Sequence, residues 1–154
     1  MYKRILVALD SSLSARLALE EALKLAKTVD AILMVACVVS YDLCDPAPWV
    51  IGEEGERSCA QRQLDHARDL CARSEVRAVT QIIDAHGASI PGALMQAAQA
   101  FEADLIVMGA HGPRGVRRHL IGSVAETVLR SSHVPVLTVR DDQRDDEHDA
   151  ALSL

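Results

Sequence analysis

The sequence has no CxxC pair and no spacing of cysteine and histidine suited to a metal. Its four cysteines, Cys37, Cys44, Cys59 and Cys71, read as reduced thiols of a cytoplasmic protein rather than as a disulfide framework. His66, His86 and His133 form no ligand set either. Positive charge is not in excess. The formal charge is −6, and the stretch after Arg140 carries −5 of it, leaving −1 for the body. That balance argues against nucleic acid and against an acidic membrane surface as partners. A long apolar run is also missing at the start, where Lys3-Arg4 leads at once into a short strand-like stretch, so neither a signal peptide nor a membrane span is expected. What is present is 154 residues, 49% of them hydrophobic, enough for one domain with a substantial core.

Strand-like and helix-like patterns alternate along the chain. Arg4 to Leu9 is a short apolar run ending at Asp10, and Ser11-Ser12 offers a cap for a helix reaching about Val29, with Ala18, Ala22, Leu25, Ala26 and Val29 on one face. Ala31 to Val39 is apolar enough for a strand buried on both sides. Ser40 to Glu56, with Pro46, Pro48, Gly52, Gly55 and the single tryptophan Trp49, has no period and predicts a long surface loop. Arg57 to Arg73 is helical by the spacing of Ala60, Leu64, Ala67, Leu70 and Cys71, and Val76 to Ile83 predicts a third strand. Ser89 caps a helix from Ile90 to Phe101, where Pro91 falls in the tolerant first turn. Leu105 to Met108 is the fourth strand, Ser123 to Ser131 the fourth helix, and Pro135 to Val139 a fifth strand whose proline stands at its first position. The domain is expected to span 1–140, with an acidic, disordered tail over 141–154.

Five apolar strands separated by helices imply a doubly wound α/β fold, a Rossmann-like parallel sheet with helices on both faces, for which the expected strand order is 3-2-1-4-5. Ligands of such sheets bind beyond the carboxyl ends of the strands, where the order reverses. There the sequence places Asp10, after the first strand, and Gly109-Ala-His-Gly112, after the fourth, with Gly122-Ser123 nine residues further on. Glycines admit positive φ and close approach, and a helix start favours anions, so the pattern reads as a phosphate cradle. No lysine precedes Ser123, which excludes a Walker A loop, and GxGxxG is absent. Asp10 has no acidic neighbour of the kind a phospho-accepting receiver needs.

The spacing G-x2-G-x9-G-[S/T], as Gly109, Gly112, Gly122 and Ser123, resembles the ATP-binding signature of the universal stress protein family. The resemblance extends to Ile5-Leu-Val-Ala-Leu-Asp10-Ser-Ser, to Ala103-Asp-Leu-Ile-Val-Met-Gly109, and to Gly122-Ser-Val-Ala-Glu-Thr-Val-Leu129 through Val134-Pro-Val-Leu137. It implies an adenine-nucleotide binder in which Asp10, with Ala8 and Leu9 in the same turn, lies beside ribose or phosphate. Val38 would read the adenine edge with its backbone. Met108, Gly109, His111 and Gly112 would line the ribose and phosphates, with Gly122, Ser123 and the Val124 N–H on the triphosphate. It also implies a homodimer through Pro135 to Val139. The negative charge of ATP would be met by Mg²⁺ or by Arg114, Arg117 or Arg118.

Plainer roles compete for the same residues. Gly109 and Gly112 can simply end a strand, Ser123 can be an ordinary helix cap, and Asp10 can cap the first helix. His111 is a loop residue rather than a base, since no carboxylate neighbours it in sequence. The expected function is nucleotide-dependent regulation or stress tolerance. A slow ATPase or nucleotidyl-transfer enzyme, and an interaction module that takes no nucleotide, are the alternatives.

Overall fold

A computed structural model describes residues 1–40, 53–85, 87–112 and 121–141. The chain runs β1 (Arg4–Ala8), α1 (Leu13–Val29), β2 (Ile32–Val39), α2 (Glu53–Arg73), β3 (Ala78–Asp84), α3 (Ile90–Phe101), β4 (Leu105–Gly109), α4 (Ser123–Ser131) and β5 (Val136–Val139). All neighbouring strands are parallel, as the alternation of apolar runs predicts, and their order is the expected β3-β2-β1-β4-β5.

Because side chains alternate across a strand, the two faces of β1 feed two separate cores. Ile5 and Val7 join Leu33, Val35 and Val107 beneath α1 and α2, packed on Leu19, Ala22 and Leu64. Leu6 instead joins Ile106 and Met108 beneath α3 and α4, against Leu94, Ala98 and Val128. The helices therefore divide as α1 and α2 on one face and α3 and α4 on the other. This is the arrangement that leaves a crevice where β1 meets β4.

Strand ends shift by a residue or two from the sequence reading, and two starts and one helix face differ for identifiable reasons. The helix assigned from Arg57 begins at Glu53, so the predicted loop gives up its last four residues to α2; residues 41–52, with Trp49, are outside the described part. The third strand starts at Ala78 rather than Val76, because the Val76 N–H is taken by the Cys71 carbonyl (2.9 Å) as the chain leaves α2. On α1 the buried face runs through Leu19 and Leu23, with Leu25 and Val29 only half-buried at its border. At α3 the reading holds: Ser89 accepts from the Gly92 N–H (3.1 Å) and Pro91 sits in the first turn. Among the described residues no helix is long and apolar enough to cross a membrane.

Candidate functional site

β1 and β4 lie side by side with Ala8 opposite Met108, so their carboxyl ends open into one crevice. The Leu9 N–H still bonds the Ala36 carbonyl of β2 (2.8 Å), and the chain then departs from the sheet. Asp10 stands at that departure. Its Oδ1 accepts from the Ser12 N–H at 2.7 Å, a local turn that sets up the helix without capping it. The cap is Ser12, whose Oγ accepts from the Ala15 N–H (3.2 Å). The capping role open to Asp10 in the sequence therefore falls to Ser12, and the Asp10 carboxylate faces the crevice.

The departure of β1 also exposes an edge of β2. Ala36 bonds toward β1, and Val39 bonds toward β3 through the Ala85 N–H (3.0 Å). Alternation then directs the N–H and C=O of Val38 toward the side that β1 has left. A donor and an acceptor of the main chain are thus presented to the crevice at the position to which the resemblance gives the adenine edge.

After β4 the glycine loop is tied at both ends. The Ala110 N–H bonds the Val139 carbonyl of β5 (2.8 Å), and the Gly122 N–H bonds the Ala110 carbonyl (2.6 Å). The second bond closes the nine-residue gap and sets Gly122 against Gly112. None of Gly109, Gly112 and Gly122 uses positive φ; among the described glycines that conformation belongs to Gly87 (81°). The glycines serve close approach instead, and not all in the same way. A Cβ on Gly109 would lie 2.7 Å from the Ala15 nitrogen and 2.8 Å from the Ser14 carbonyl carbon, so Gly109 is small because α1 packs directly on it. Around Gly112 nothing among the described residues comes within 4 Å of that position. At Gly122 the Ala110 oxygen would be 3.2 Å away.

Gly122 is the N-cap of α4 and makes no side-chain capping bond, while Ser123 is the first helical residue. The reading of Ser123 as cap is corrected accordingly. Its hydroxyl is not spent on the helix end, and the first N–H groups of α4, those of Ser123 and Val124 among them, have no partner within the helix. They carry the positive end of the helix dipole.

These features enclose a cavity of about 820 Å³. All the described residues that the sequence assigned to a ligand line it: Ala8, Leu9 and Asp10; Val38; Met108, Gly109, His111 and Gly112; and Gly122, Ser123 and Val124. Arg114, Arg117 and Arg118 lie outside the described residues. The β4–α4 side of the cavity carries the Gly112 N–H and the first N–H groups of α4, while the His111 N–H is bonded to Ser14. Toward β2 the lining is mainly apolar, from Ala36–Val39, Ala60 of α2 and Leu94 of α3, with Glu56, Cys59 and Gln63 of α2 beside them.

Several lining residues escaped the sequence reading. Glu56, Cys59 and Gln63 come from α2, and Ile90 and Leu94 from α3. The spacing of four between Cys59 and Gln63 puts both on one helical face, which is the signal that could have found them. Cys37, read from the sequence only as a reduced thiol, is in the cavity wall. Burial, and secondarily the charge of Asp10, pushes its thiol up to about 12. Its S–H donates to Gln63 Oε1 at 3.6 Å. Ser14 was missed altogether: it is 2% exposed, donates to the His111 carbonyl (2.8 Å) and accepts from the His111 N–H (3.4 Å).

The sequence pattern of the universal stress protein family matches residues 1–140. A universal stress protein of Methanocaldococcus jannaschii is 31% identical over 144 residues, covering 91% of this chain and 83% of its own. The crystal structure of a universal stress family protein from Burkholderia pseudomallei superposes with a TM-score of 0.70 at 33% identity, covering 90% of this chain and 96% of that one. A universal stress protein crystallised in complex with cAMP superposes with a TM-score of 0.69 at 26% identity, covering 90% and 97%.

Proposed function

The chain belongs to the universal stress protein family, and we propose that it binds an adenine nucleotide, ATP above all, as a nucleotide-dependent regulator or stress-tolerance factor. The observation that carries this is the division of one cavity into a side that presents main-chain N–H groups and a mainly apolar side. Phosphates suit the first and a purine the second, and the ribose between them falls beside Asp10. Several charge-assisted N–H bonds, each contributing roughly 1.5–3 kcal/mol, hold a polyphosphate without a dedicated lysine. The relative crystallised with cAMP takes an adenine nucleotide, which supports the choice of base.

Magnesium fits as a companion of the phosphates, since it is commonly held by one or two carboxylates and phosphate oxygens. Asp10 would be its protein ligand. Binding rather than turnover is the reading, because Asp10, accepting from the Ser12 N–H (2.7 Å) and holding the metal, would be committed to those partners rather than to taking a proton from water. The assembly we propose is a homodimer through β5, an edge strand whose Leu137 is 41% exposed.

Calorimetric titration of the full chain with ATP, AMP and cAMP tests this reading. Saturable binding of one adenine nucleotide per chain is expected. Absence of heat with all three would overturn it.

A further inference from the structure

We propose that the His111 side chain ranks ligands by phosphate charge: once protonated, it supplies the positive charge that the described cavity lining otherwise lacks, so the preference for a triphosphate over a monophosphate rises as pH falls. The inference rests on the adenine-nucleotide reading above and goes beyond it, from the class of ligand to the residue that discriminates by the number of phosphates.

Two observations place this residue on the phosphate side. The main chain of His111 is already spent, its N–H and its carbonyl both meeting the buried Ser14 hydroxyl, at 3.4 and 2.8 Å. What His111 offers a ligand is therefore its imidazole. A Cβ on Gly122 would lie 3.5 Å from the His111 Cα, so the residue stands directly against the N-cap of α4, where the unpaired N–H groups of that helix begin. His111 is half-buried there, in the wall of the cavity.

The charge of the lining makes that imidazole count. Among the described residues that line the cavity there is no lysine or arginine, whereas Asp10 and Glu56 bring two carboxylates. The remaining titratable side chains of the lining are Cys37, kept as a neutral thiol by its burial, and Cys59. On the elements packed against the loop, α1 carries the exposed Arg16, the first turn of α4 carries Glu126 paired with Arg130 at 2.7 Å, and Arg140 and Asp141 follow β5. Histidine is the side chain whose charge changes between about pH 5 and pH 8. A charge acts on phosphate over several ångströms and needs no fixed hydrogen-bond angle. Phosphate favours the imidazolium, so binding takes up a proton and affinity rises as pH falls. The gain is larger for ATP than for AMP, because the triphosphate brings more negative charge to the same side.

Two measurements on the full chain, with a chelator present so that no divalent cation offsets the phosphate charge, test the proposal. Followed by NMR, the titration midpoint of the His111 imidazole should rise by about one pH unit when ATP saturates the protein, and by less with AMP. Calorimetry should show ATP affinity increasing about tenfold more from about pH 8 to pH 5.5 in wild type than in His111→Gln, whose side chain stays neutral. His111→Arg, charged throughout, should hold the higher affinity at both pH values. Protonation of the nucleotide itself is common to all three proteins and cancels in the comparison. A merely structural role for His111 would shift affinity by the same factor at both pH values. An imidazole midpoint unmoved by ATP, or a His111→Gln profile that matches wild type, overturns the assignment of His111 while the nucleotide site stands. Absence of ATP binding to wild type at both pH values overturns the site and the assignment together.

Discussion

Ser14 and His111, 97 residues apart, exchange two hydrogen bonds: the Ser14 hydroxyl donates to the His111 carbonyl at 2.8 Å and accepts from its N–H at 3.4 Å. The first turn of α1 thereby holds the glycine loop in place. Ser14→Ala leaves the His111 carbonyl without its donor and should cost about 1–3 kcal/mol of stability, the usual penalty for a stranded polar group. Urea unfolding should show a lower midpoint with an unchanged slope. Nucleotide affinity should fall as well, because the loop that carries the phosphate-facing N–H groups loses its anchor.

Gly109→Ala and Gly112→Ala should part company. The first drives a methyl into the α1 backbone, 2.7 Å from the Ala15 nitrogen, and should cost about 1–3 kcal/mol or more. The second meets nothing within 4 Å among the described residues, so stability should stay within about 0.5 kcal/mol. ATP affinity should nonetheless drop in Gly112→Ala, since the open space there is where the ligand backs onto the loop. Parallel melting and titration of the two variants separates packing from binding. Equal stability losses would contradict the distinction.

The contrast marks what could be read from the sequence. The spacing of Gly109, Gly112, Gly122 and Ser123 located the loop, and runs such as Ile5–Val7 and Leu105–Met108 located strands buried on both faces, because a parallel sheet needs near-continuous apolar stretches. The reason for each glycine was not legible. Gly109 is set by Ser14 and Ala15, partners about a hundred residues away that only the adjacency of β1 and β4 brings close. Ser123 looked like a cap because serine so often is one, yet the helix starts one residue earlier. Gln63 and Cys59 stand on a helix whose buried face is built of Ala60, Leu64 and Ala67, and their border position becomes a cavity wall only when β2 is laid against it. Leu19 and Leu23 escaped the face drawn through Leu25 and Val29 because an alanine-rich helix offers several apolar stripes of similar quality.

Cys37 makes stability depend on alkaline pH. Its folded value is raised, through burial first and Asp10 second, from 9.0 to about 12, so the protonated thiol is favoured by folding. The unfolded chain loses that proton first, and stability is complete below about pH 9 and declines from there toward 12. The slope is at most about 1.4 kcal/mol per pH unit for one such group. Cys71, also raised by burial, adds to the decline. Unfolding midpoints between about pH 8 and pH 10 should fall less steeply in Cys37→Ala than in wild type, and identical slopes would remove Cys37 as a cause.

Leu137, 41% exposed on the edge strand β5, is the position at which the proposed homodimer is most open to attack. Leu137→Lys places a charge on that edge, a device that natural sheets use against edge pairing. Sedimentation should give a dimer for wild type and a monomer for Leu137→Lys with the fold intact. A wild-type monomer at micromolar concentration would contradict the proposed assembly.

The central claim is that one cavity at the β1–β4 crevice takes an adenine nucleotide, and amide NMR shifts during titration of the full chain with ATP test it most directly. The largest changes should fall at Val38, His111, Gly112, Ser123 and Val124, on both sides of the cavity and across its length. Shifts confined to another surface, or none at saturating ATP, would contradict the account.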